Sequence, residues 1–121
     1  MTERYFLGID VGSSKTEALI AGESGRSLGF GRSAGGNQQL VGYGGLAKAL
    51  LAAYEQAARQ AGEVEPAFRA AAIAGAGIGA SGYDFPSDRA GHLQAAASLG
   101  LTCPLEVVND GLLGLLAGAQ R

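Results

Sequence analysis

Cysteine is nearly absent from this sequence, which has one cysteine and no tryptophan in 121 residues. Because Cys103 has no second cysteine to join, an internal disulfide and a thiolate metal site made by this chain alone are both excluded. The sequence also lacks an apolar run of about 18 residues, which a membrane-spanning helix requires, and a charged leader before a short apolar segment. The formal net charge is only −2, so basic residues are not in excess. We therefore expect a cytoplasmic protein with no nucleic-acid or membrane partner.

Apolar residues and glycine are plentiful instead. Apolar side chains make up 47% of the chain, which is enough for a single domain with its own core. The 21 glycines are scattered without a period, which excludes a collagen-like repeat. Many of them follow apolar runs, where a chain turns sharply or lets a ligand approach its backbone.

The most informative segment is residues 6–21, in which two apolar runs flank a short polar turn. The first run ends on Asp10, and the pattern predicts a strand, a tight turn and a second strand. The turn consists of Gly12, Ser13, Ser14, Lys15 and Thr16. Its backbone N–H groups and hydroxyls can face an anion at close range, so we predict that it binds phosphate, with Asp10 beside it able to hold a hydrated Mg²⁺ ion. Lys15 either meets the phosphate or points into solvent.

A Walker-type phosphate loop is excluded for this turn. Counting from Gly8, the positions that the Walker pattern reserves for glycine and lysine hold Ser13 and Ser14. The residues that follow are typical of a strand, whereas a Walker loop leads into a helix.

Hydrophobic periodicity predicts the order of the elements. Three antiparallel strands are expected at Arg4 to Asp10, Thr16 to Ala21 and Ser27 to Arg32. They are followed by a helix from Val41 to Ala61 that stops at Gly62, a strand from Ala70 to Ala74, a helix from Ser87 to Leu99 that is capped by Ser87 and closed by Gly100, a strand from Leu105 to Asn109 and a final helix from Asp110 to Gln120. With right-handed crossovers, this order predicts an α/β fold with a mixed five-stranded sheet and helices on both faces, in which the last two strands run parallel to the first.

A second carboxylate, Asp110, follows the last predicted strand. Ligands of such sheets lie beyond the carboxyl ends of parallel strands, so we expect Asp110 and Asp10 to face the same crevice. A carboxylate at this place can orient an attacking hydroxyl group for phosphoryl transfer. The alternative is that Asp110 only caps the final helix, and the two roles are compatible.

Residues 75–80 satisfy the Gly-x-Gly-x-x-Gly/Ala pattern of dinucleotide-binding folds. That pattern requires a helix to open inside it, whereas residues 81–86 are typical of a loop. No acidic residue ends a strand about 20 residues later, as the dinucleotide fold also requires. We therefore do not assign a dinucleotide site here.

Residues 6–21 resemble the first phosphate motif of the actin-like, sugar kinase and Hsp70 ATPase superfamily, in particular the branch that groups N-acetylglucosamine kinase with the BadF/BadG/BcrA/BcrD type ATPases. The order of the predicted elements is similar to that of one ribonuclease H-like lobe of the superfamily. The resemblance implies ATP and Mg²⁺ as cofactors, with Asp10 at the metal and the turn residues at the phosphates. It also implies a nucleotide cleft between two lobes, of which residues 1–121 hold the first.

The resemblance implies roles for four further residues. Asp110 would take the proton from the acceptor hydroxyl, with Asn109 beside the substrate. Asn37 would contact sugar hydroxyls, since an amide offers both a donor and an acceptor, or else it is a loop residue near the start of a helix. Residues 75–80 would be a loop of small residues in which Gly77 lies against the substrate, or else only a turn.

Asp84, Asp88 and His92 lie outside these motifs and are interpreted as ordinary polar residues. His92 stands four residues after Asp88 on a predicted helix, a spacing typical of a surface ion pair. Asp84 and Asp88 are interpreted as acids of a loop and of a helix start.

Three functions are compatible with the sequence. The first is the N-terminal half of an ATP-dependent kinase that phosphorylates an amino sugar such as N-acetylglucosamine. The second is an activator ATPase of the benzoyl-CoA reductase or 2-hydroxyacyl-CoA dehydratase type, and the third is a nucleotide-binding lobe without catalysis. Because the C-terminal lobe is missing, we expect residues 1–121 to be inactive alone and to expose an apolar face that could form a homodimer.

Overall fold

The computed structural model of this chain describes residues 3–109. In chain order its main elements are β1 (Tyr5–Val11), β2 (Lys15–Gly22), β3 (Ser27–Ala34), α1 (Gln38–Val64), β4 (Ile73–Ala80), α2 (Arg89–Ala97) and β5 (Leu105–Asn109). A 3₁₀ turn precedes β4 at Ala70–Ala72, and another precedes α2 at Pro86–Asp88. Within residues 3–109 no helix is both long and apolar enough to cross a membrane.

The first strands form because apolar residues alternate with residues that face away from the core. In β1 the side chains of Tyr5, Leu7, Ile9 and Val11 are buried, and the residues between them are exposed. Buried and more exposed residues alternate along β2 in the same way. Asp10 therefore lies on the exposed face of β1, one residue before the strand ends.

The strands form one sheet in the order β3-β2-β1-β4-β5. β1, β2 and β3 pair antiparallel, whereas β4 pairs parallel with β1 and β5 pairs parallel with β4. This confirms the predicted mixed five-stranded sheet. Val11, Ala80 and Asn109 lie side by side in register, so the carboxyl ends of the three parallel strands meet at one edge of the sheet.

Both helices pack on the same face of this sheet. Their buried side chains form one apolar cluster with the inward-facing residues of the strands. α1 lies very close to β3. A Cβ atom added at Gly29 would be 1.9 Å from the carbonyl oxygen of Ala57, and one added at Gly31 would be 2.0 Å from the carbonyl oxygen of Ala53. The two glycines therefore allow the helix backbone to lie directly against the strand.

The opposite face of the sheet exposes three large apolar side chains, Phe6, Leu19 and Phe30. The helix predicted over 110–120, which would supply the second helical face, lies outside the described residues. Asp110 lies outside them as well.

α1 is longer than predicted at both ends. It begins at Gln38 and continues through Gly62 to Val64, so the prediction that Gly62 stops the helix is wrong. Pro66 follows the observed end, where proline commonly stands because it cannot continue a helix. The φ angle of Gly42 is +74°, which separates the first turn of α1, residues 38–41, from the rest of the helix.

The predicted strand at Ala70 to Ala74 is displaced along the chain. Residues 70–72 form a 3₁₀ turn, and the strand runs from Ile73 to Ala80. The interpretation of residues 75–80 as a loop is therefore wrong. Gly77 lies in the middle of β4, paired with Gly8 of β1 and Glu106 of β5. Alanine and glycine gave little hydrophobic contrast here, so the alternation that marks a strand was not visible.

The start of α2 also differs from the prediction. Ser87 lies inside the 3₁₀ turn, and the carboxylate that accepts the local backbone N–H groups belongs to Asp88, with Oδ2 at 3.0 Å from the amide of Asp84 and 2.9 Å from that of Phe85. α2 ends at Ala97, and Gly100 adopts a φ of +70° just beyond it. His92 is buried and its Nδ1 donates to the carbonyl oxygen of Asp88 at 2.8 Å, so the predicted surface ion pair is wrong.

We predict opposite effects of two glycine-to-alanine substitutions. Gly31→Ala places a methyl group against the Ala53 carbonyl and should lower the free energy of unfolding by about 2 kcal/mol. Gly62→Ala is the matched control, because no atom lies within 4 Å of the added Cβ and the residue is helical. It should raise the free energy of unfolding by about 0.5–1 kcal/mol. Urea denaturation of the two variants tests the pair, and a Gly31→Ala protein as stable as the wild type would contradict the packing of α1 on β3.

Candidate functional site

The turn between β1 and β2 is closed by its own backbone. The amide of Gly12 donates to the carbonyl oxygen of Lys15 at 2.8 Å, which leaves Ser13 and Ser14 at the tip, both exposed. A Cβ atom at Gly12 would be 3.1 Å from that same carbonyl, so glycine suits this position. The structure thus presents the two hydroxyls of the predicted phosphate turn to solvent at the carboxyl end of β1.

The segment after β3 packs directly on this turn. The amide of Gly36 donates to the carbonyl oxygen of Gly12 at 3.1 Å. A Cβ at Gly35 would be only 2.0 Å from the carbonyl oxygen of Ser13, so no larger residue fits there without a shift. The close approach brings the start of α1 to the phosphate turn.

Asn37 caps α1 and also contacts the predicted phosphate turn. Its Oδ1 accepts a hydrogen bond from the amide of Gln39 at 3.0 Å, which caps α1. Its Nδ2 donates to Oγ of Ser13 at 3.2 Å. The amide predicted to contact the acceptor therefore touches the turn predicted to contact phosphate.

Lys15 and Thr16 lie on opposite faces of β2, Lys15 on the exposed face and Thr16 on the buried one. The ammonium of Lys15 lies 3.5 Å from Glu17, which also binds Arg32 at 2.7 Å, and the hydrogen bond from Arg32 is the main reason why the pKa of Glu17 is lowered. Thr16 is fully buried, and a Cβ at Gly36 would be 3.3 Å from its hydroxyl. The structure therefore does not bring the hydroxyl of Thr16 to the phosphate turn's open side.

Asp10 lies on the exposed face at the end of β1, opposite Glu17 on one neighbouring strand and Gly79 on the other. It borders a hollow of about 260 Å³ whose floor includes Gly8, where an added Cβ would meet nothing within 4 Å. Residues 3–109 contain no group of three or more histidine, cysteine, aspartate or glutamate side chains able to enclose a metal ion. A carboxylate ligand fits Mg²⁺, which usually retains several water ligands.

The loop after β4, residues 81–85, forms the other side of the site. The amide of Ser81 donates to the carbonyl oxygen of Val11 at 3.0 Å, which continues the pairing of β4 with β1. Three side-chain amides then hold the loop. Gln38 Nε2 donates to the Gly82 carbonyl at 2.7 Å, Gln39 Nε2 to Asp84 Oδ2 at 3.0 Å, and Asn109 Nδ2 to the Tyr83 carbonyl at 2.9 Å.

Three members of this site were not predicted from the sequence, namely Gln38, Gln39 and Asp84. The available signal was weak. Two glutamines follow Asn37 directly, and an uninterrupted run of three amides at the start of a helix is the only hint that the sequence offers. Asn109 was predicted and does lie at the site, whereas Gly77 lies within β4 and not in its end loop.

The chain is similar to several known proteins in sequence and fold. A sequence model of the BadF/BadG/BcrA/BcrD ATPase family matches residues 7–120. No curated protein matches the chain. Among solved structures, a protein assigned as an N-acetylglucosamine kinase from Chromobacterium violaceum is 27% identical with a TM-score of 0.66, and the match covers 95% of this chain and 39% of that one.

Two further solved structures are similar. A protein assigned as an N-acetylglucosamine kinase from Porphyromonas gingivalis is 25% identical with a TM-score of 0.59, covering 87% of this chain and 34% of that one. The ethanolamine utilization protein EutJ from Carboxydothermus hydrogenoformans shares the fold at 13% identity and a TM-score of 0.59, covering 89% of this chain and 38% of that one. The chain therefore spans 34–39% of the length of these three proteins.

We predict that the loop before α2 becomes less well ordered at low pH. Hydrogen bonds from the amides of Phe85 and Asp84 hold the pKa of Asp88 below its usual value. Because the folded-state pKa is the lower one, the stabilisation is complete above the unfolded value of about 3.9 and is lost as the pH falls through the folded-state pKa. Amide exchange should show the protection factors of Phe85 and Asp84 falling severalfold below about pH 4.

Asp88→Asn is the control for this prediction, since it keeps an acceptor oxygen and removes the titration. Its two protection factors should not change over the same pH range. Wild-type protection that persists to pH 2 would contradict the role assigned to Asp88.

Proposed function

This chain belongs to the BadF/BadG/BcrA/BcrD ATPase family, and we propose that it is the N-terminal lobe of an ATP-dependent kinase that phosphorylates an amino sugar such as N-acetylglucosamine. The observation that carries the proposal is the 3.2 Å hydrogen bond between Asn37 and Ser13, which joins an amide suited to sugar hydroxyls to the turn suited to phosphate. The two similar structures assigned as N-acetylglucosamine kinases support the same substrate class.

In this proposal the turn binds the phosphates of ATP. The backbone N–H groups and hydroxyls of Ser13 and Ser14 face the phosphate oxygens, and Gly12 leaves the room that they need. Asp10 would hold Mg²⁺ through its waters, and the ion supplies positive charge that neutralises the charge developing on the transferred phosphoryl group. Positioning and charge stabilisation account for most of phosphoryl transfer, so these groups supply the main requirements.

The acceptor lies between Asn37 and the end of β5. Asn37 orients a sugar hydroxyl, and Asp110, which follows Asn109 in the chain, accepts the proton of the attacking hydroxyl. The acceptor oxygen bonds to the γ-phosphorus while the bond from that phosphorus to the bridging oxygen of ADP breaks. The products are a sugar phosphate, ADP and a protonated Asp110, which then releases its proton to solvent.

An activator ATPase of the benzoyl-CoA reductase or 2-hydroxyacyl-CoA dehydratase type is the second candidate, because the matching family is defined by its ATPases. Such a protein would hydrolyse ATP with the same turn and would need no sugar. Asp110 could then orient the attacking water, but Asn37 would have no sugar hydroxyl to orient, which is why we place this function second.

We predict that the two-lobe protein containing this chain converts a sugar to its phosphate and that Asp110→Asn strongly slows the reaction. The assay follows ADP and sugar phosphate separately, with Mg²⁺-ATP and N-acetylglucosamine, glucosamine or glucose. Loss of the proton acceptor should lower kcat by about 10²–10⁴-fold. Glu63→Gln, the same carboxylate-to-amide change at an exposed position near the far end of α1, is the matched control and should leave the rate unchanged.

Two outcomes would contradict the proposal. ADP formation without any phosphorylated sugar would identify the ATPase function instead. A sugar kinase whose rate is unchanged by Asp110→Asn would show that another group accepts the proton.

A further inference from the structure

A hollow of about 520 Å³ lies between the loop before α2 and strand β5. Its walls include Tyr83, Asp84 and Phe85 on one side and Val108 and Asn109 on the other. The volume is in the range of ordinary small-molecule sites. Asn109, which directly precedes Asp110 in the chain, is among the residues that line the hollow.

The hollow is lined by the carboxylate of Asp84, which is held in place by residues that do not themselves line the hollow. Its Oδ2 accepts the hydrogen bond from Gln39 Nε2 at 3.0 Å, and its backbone amide donates to Asp88 at 3.0 Å. Among the described residues no hydrogen bond is made to its Oδ1. A carboxylate held in this way retains an oxygen that can accept a hydrogen bond from a ligand hydroxyl.

Among the described residues, the charges that line the hollow sum to a negative charge. Arg89 forms an ion pair with Glu106, and the hydrogen bond from Arg89 is the main reason why the pKa of Glu106 is lowered. The two charges therefore offset one another, and the carboxylate of Asp84 is left in excess. A neutral or amine-bearing ligand suits this field, whereas an anionic one is repelled.

Two buried polar atoms lie at or beside the same loop, although neither residue lines the hollow. Oε1 of Gln38 and Oγ of Ser81 are buried without a hydrogen-bond partner among residues 3–109. Gly82 lies against this amide so closely that an added Cβ would be 1.9 Å from Oε1 of Gln38.

The first turn of α1 connects this hollow to the phosphate turn. Asn37 contacts Ser13, and two residues later Gln39 contacts Asp84. Asn37, the N-cap of α1, and Gln39, in its first turn, therefore fix the distance between the phosphate turn and the hollow.

We infer that Asp84 binds a hydroxyl group of a neutral or amine-bearing polyhydroxy acceptor in the hollow between residues 83–89 and β5, and that Gln39 is the residue that positions it. The inference rests on the proposed kinase function and adds the part of the site that selects the acceptor. Asp84 contributes binding and takes no part in proton transfer, so its removal should change KM for the acceptor more than kcat.

The test measures steady-state kinetics of the two-lobe protein with Asp84→Asn, Gln39→Leu and the control Glu63→Gln, using the best sugar of the panel. Asp84→Asn should raise KM for the sugar about 10- to 100-fold, the effect of losing a hydrogen bond to a charged group, with kcat changed less than threefold and KM for ATP less than twofold. Gln39→Leu should raise the same KM by a smaller factor, because the carboxylate remains and loses its orientation. Asp84→Glu, which keeps the carboxylate, should raise the KM for the sugar less than Asp84→Asn does.

Sugar binding without ATP, measured by calorimetry, separates this effect from a folding defect. Asp84→Asn should weaken sugar binding by the same factor while ATP binding stays at the wild-type value. A wild-type protein that phosphorylates the sugar together with an unchanged KM in Asp84→Asn would overturn this inference alone. A wild-type protein that phosphorylates no sugar would overturn the proposed function and this inference together.

Discussion

The site depends on the close contact of two backbone segments, the β1–β2 turn and the Gly35-Gly36 segment that follows β3. The amide of Gly36 bonds to the carbonyl of Gly12, and Gly35 lies where any side chain would collide with the Ser13 carbonyl. Since α1 begins directly after this contact, the backbone places Asn37 beside the phosphate turn. The short side chain of Asn37 is therefore long enough to reach Ser13. A larger residue at position 35 would move the whole first turn of α1 away from the β1–β2 turn.

The topology of the sheet positions the other segments of the candidate site. β1, β4 and β5 run parallel, so the phosphate turn, the loop before α2 and the residues after Asn109 all begin at the same edge. The amides of α1 and β5 then tie that loop to its neighbours through the Gly82 and Tyr83 carbonyls. The rigid sheet sets where each loop starts, and the amide side chains set how the loops lie relative to one another.

Much of this arrangement was predictable from strong local patterns. β1 and β2 alternate buried and more exposed residues, α1 has a long apolar stripe, and the phosphate turn is flanked by apolar runs on both sides, so each gave a clear signal. β4 was misplaced because a strand of glycine and alanine has little hydrophobic contrast. Gln39 and Asp84 were missed for a different reason. Their pairing joins residues 45 apart in the chain, and no local pattern records a contact of that kind. The burial of His92 between two aromatic rings likewise follows from the packing of α1 and the loop against α2.

The most direct measurement of the central claim is a crystal structure of the two-lobe protein with Mg²⁺, a non-hydrolysable ATP analogue and N-acetylglucosamine. We expect the γ-phosphate to contact the turn at Ser13 and Ser14 and a sugar hydroxyl oxygen to lie about 3–3.5 Å from the γ-phosphorus, between Asn37 and Asp110. Phosphates bound away from the β1–β2 turn, or a sugar bound away from the carboxyl ends of β1, β4 and β5, would contradict it.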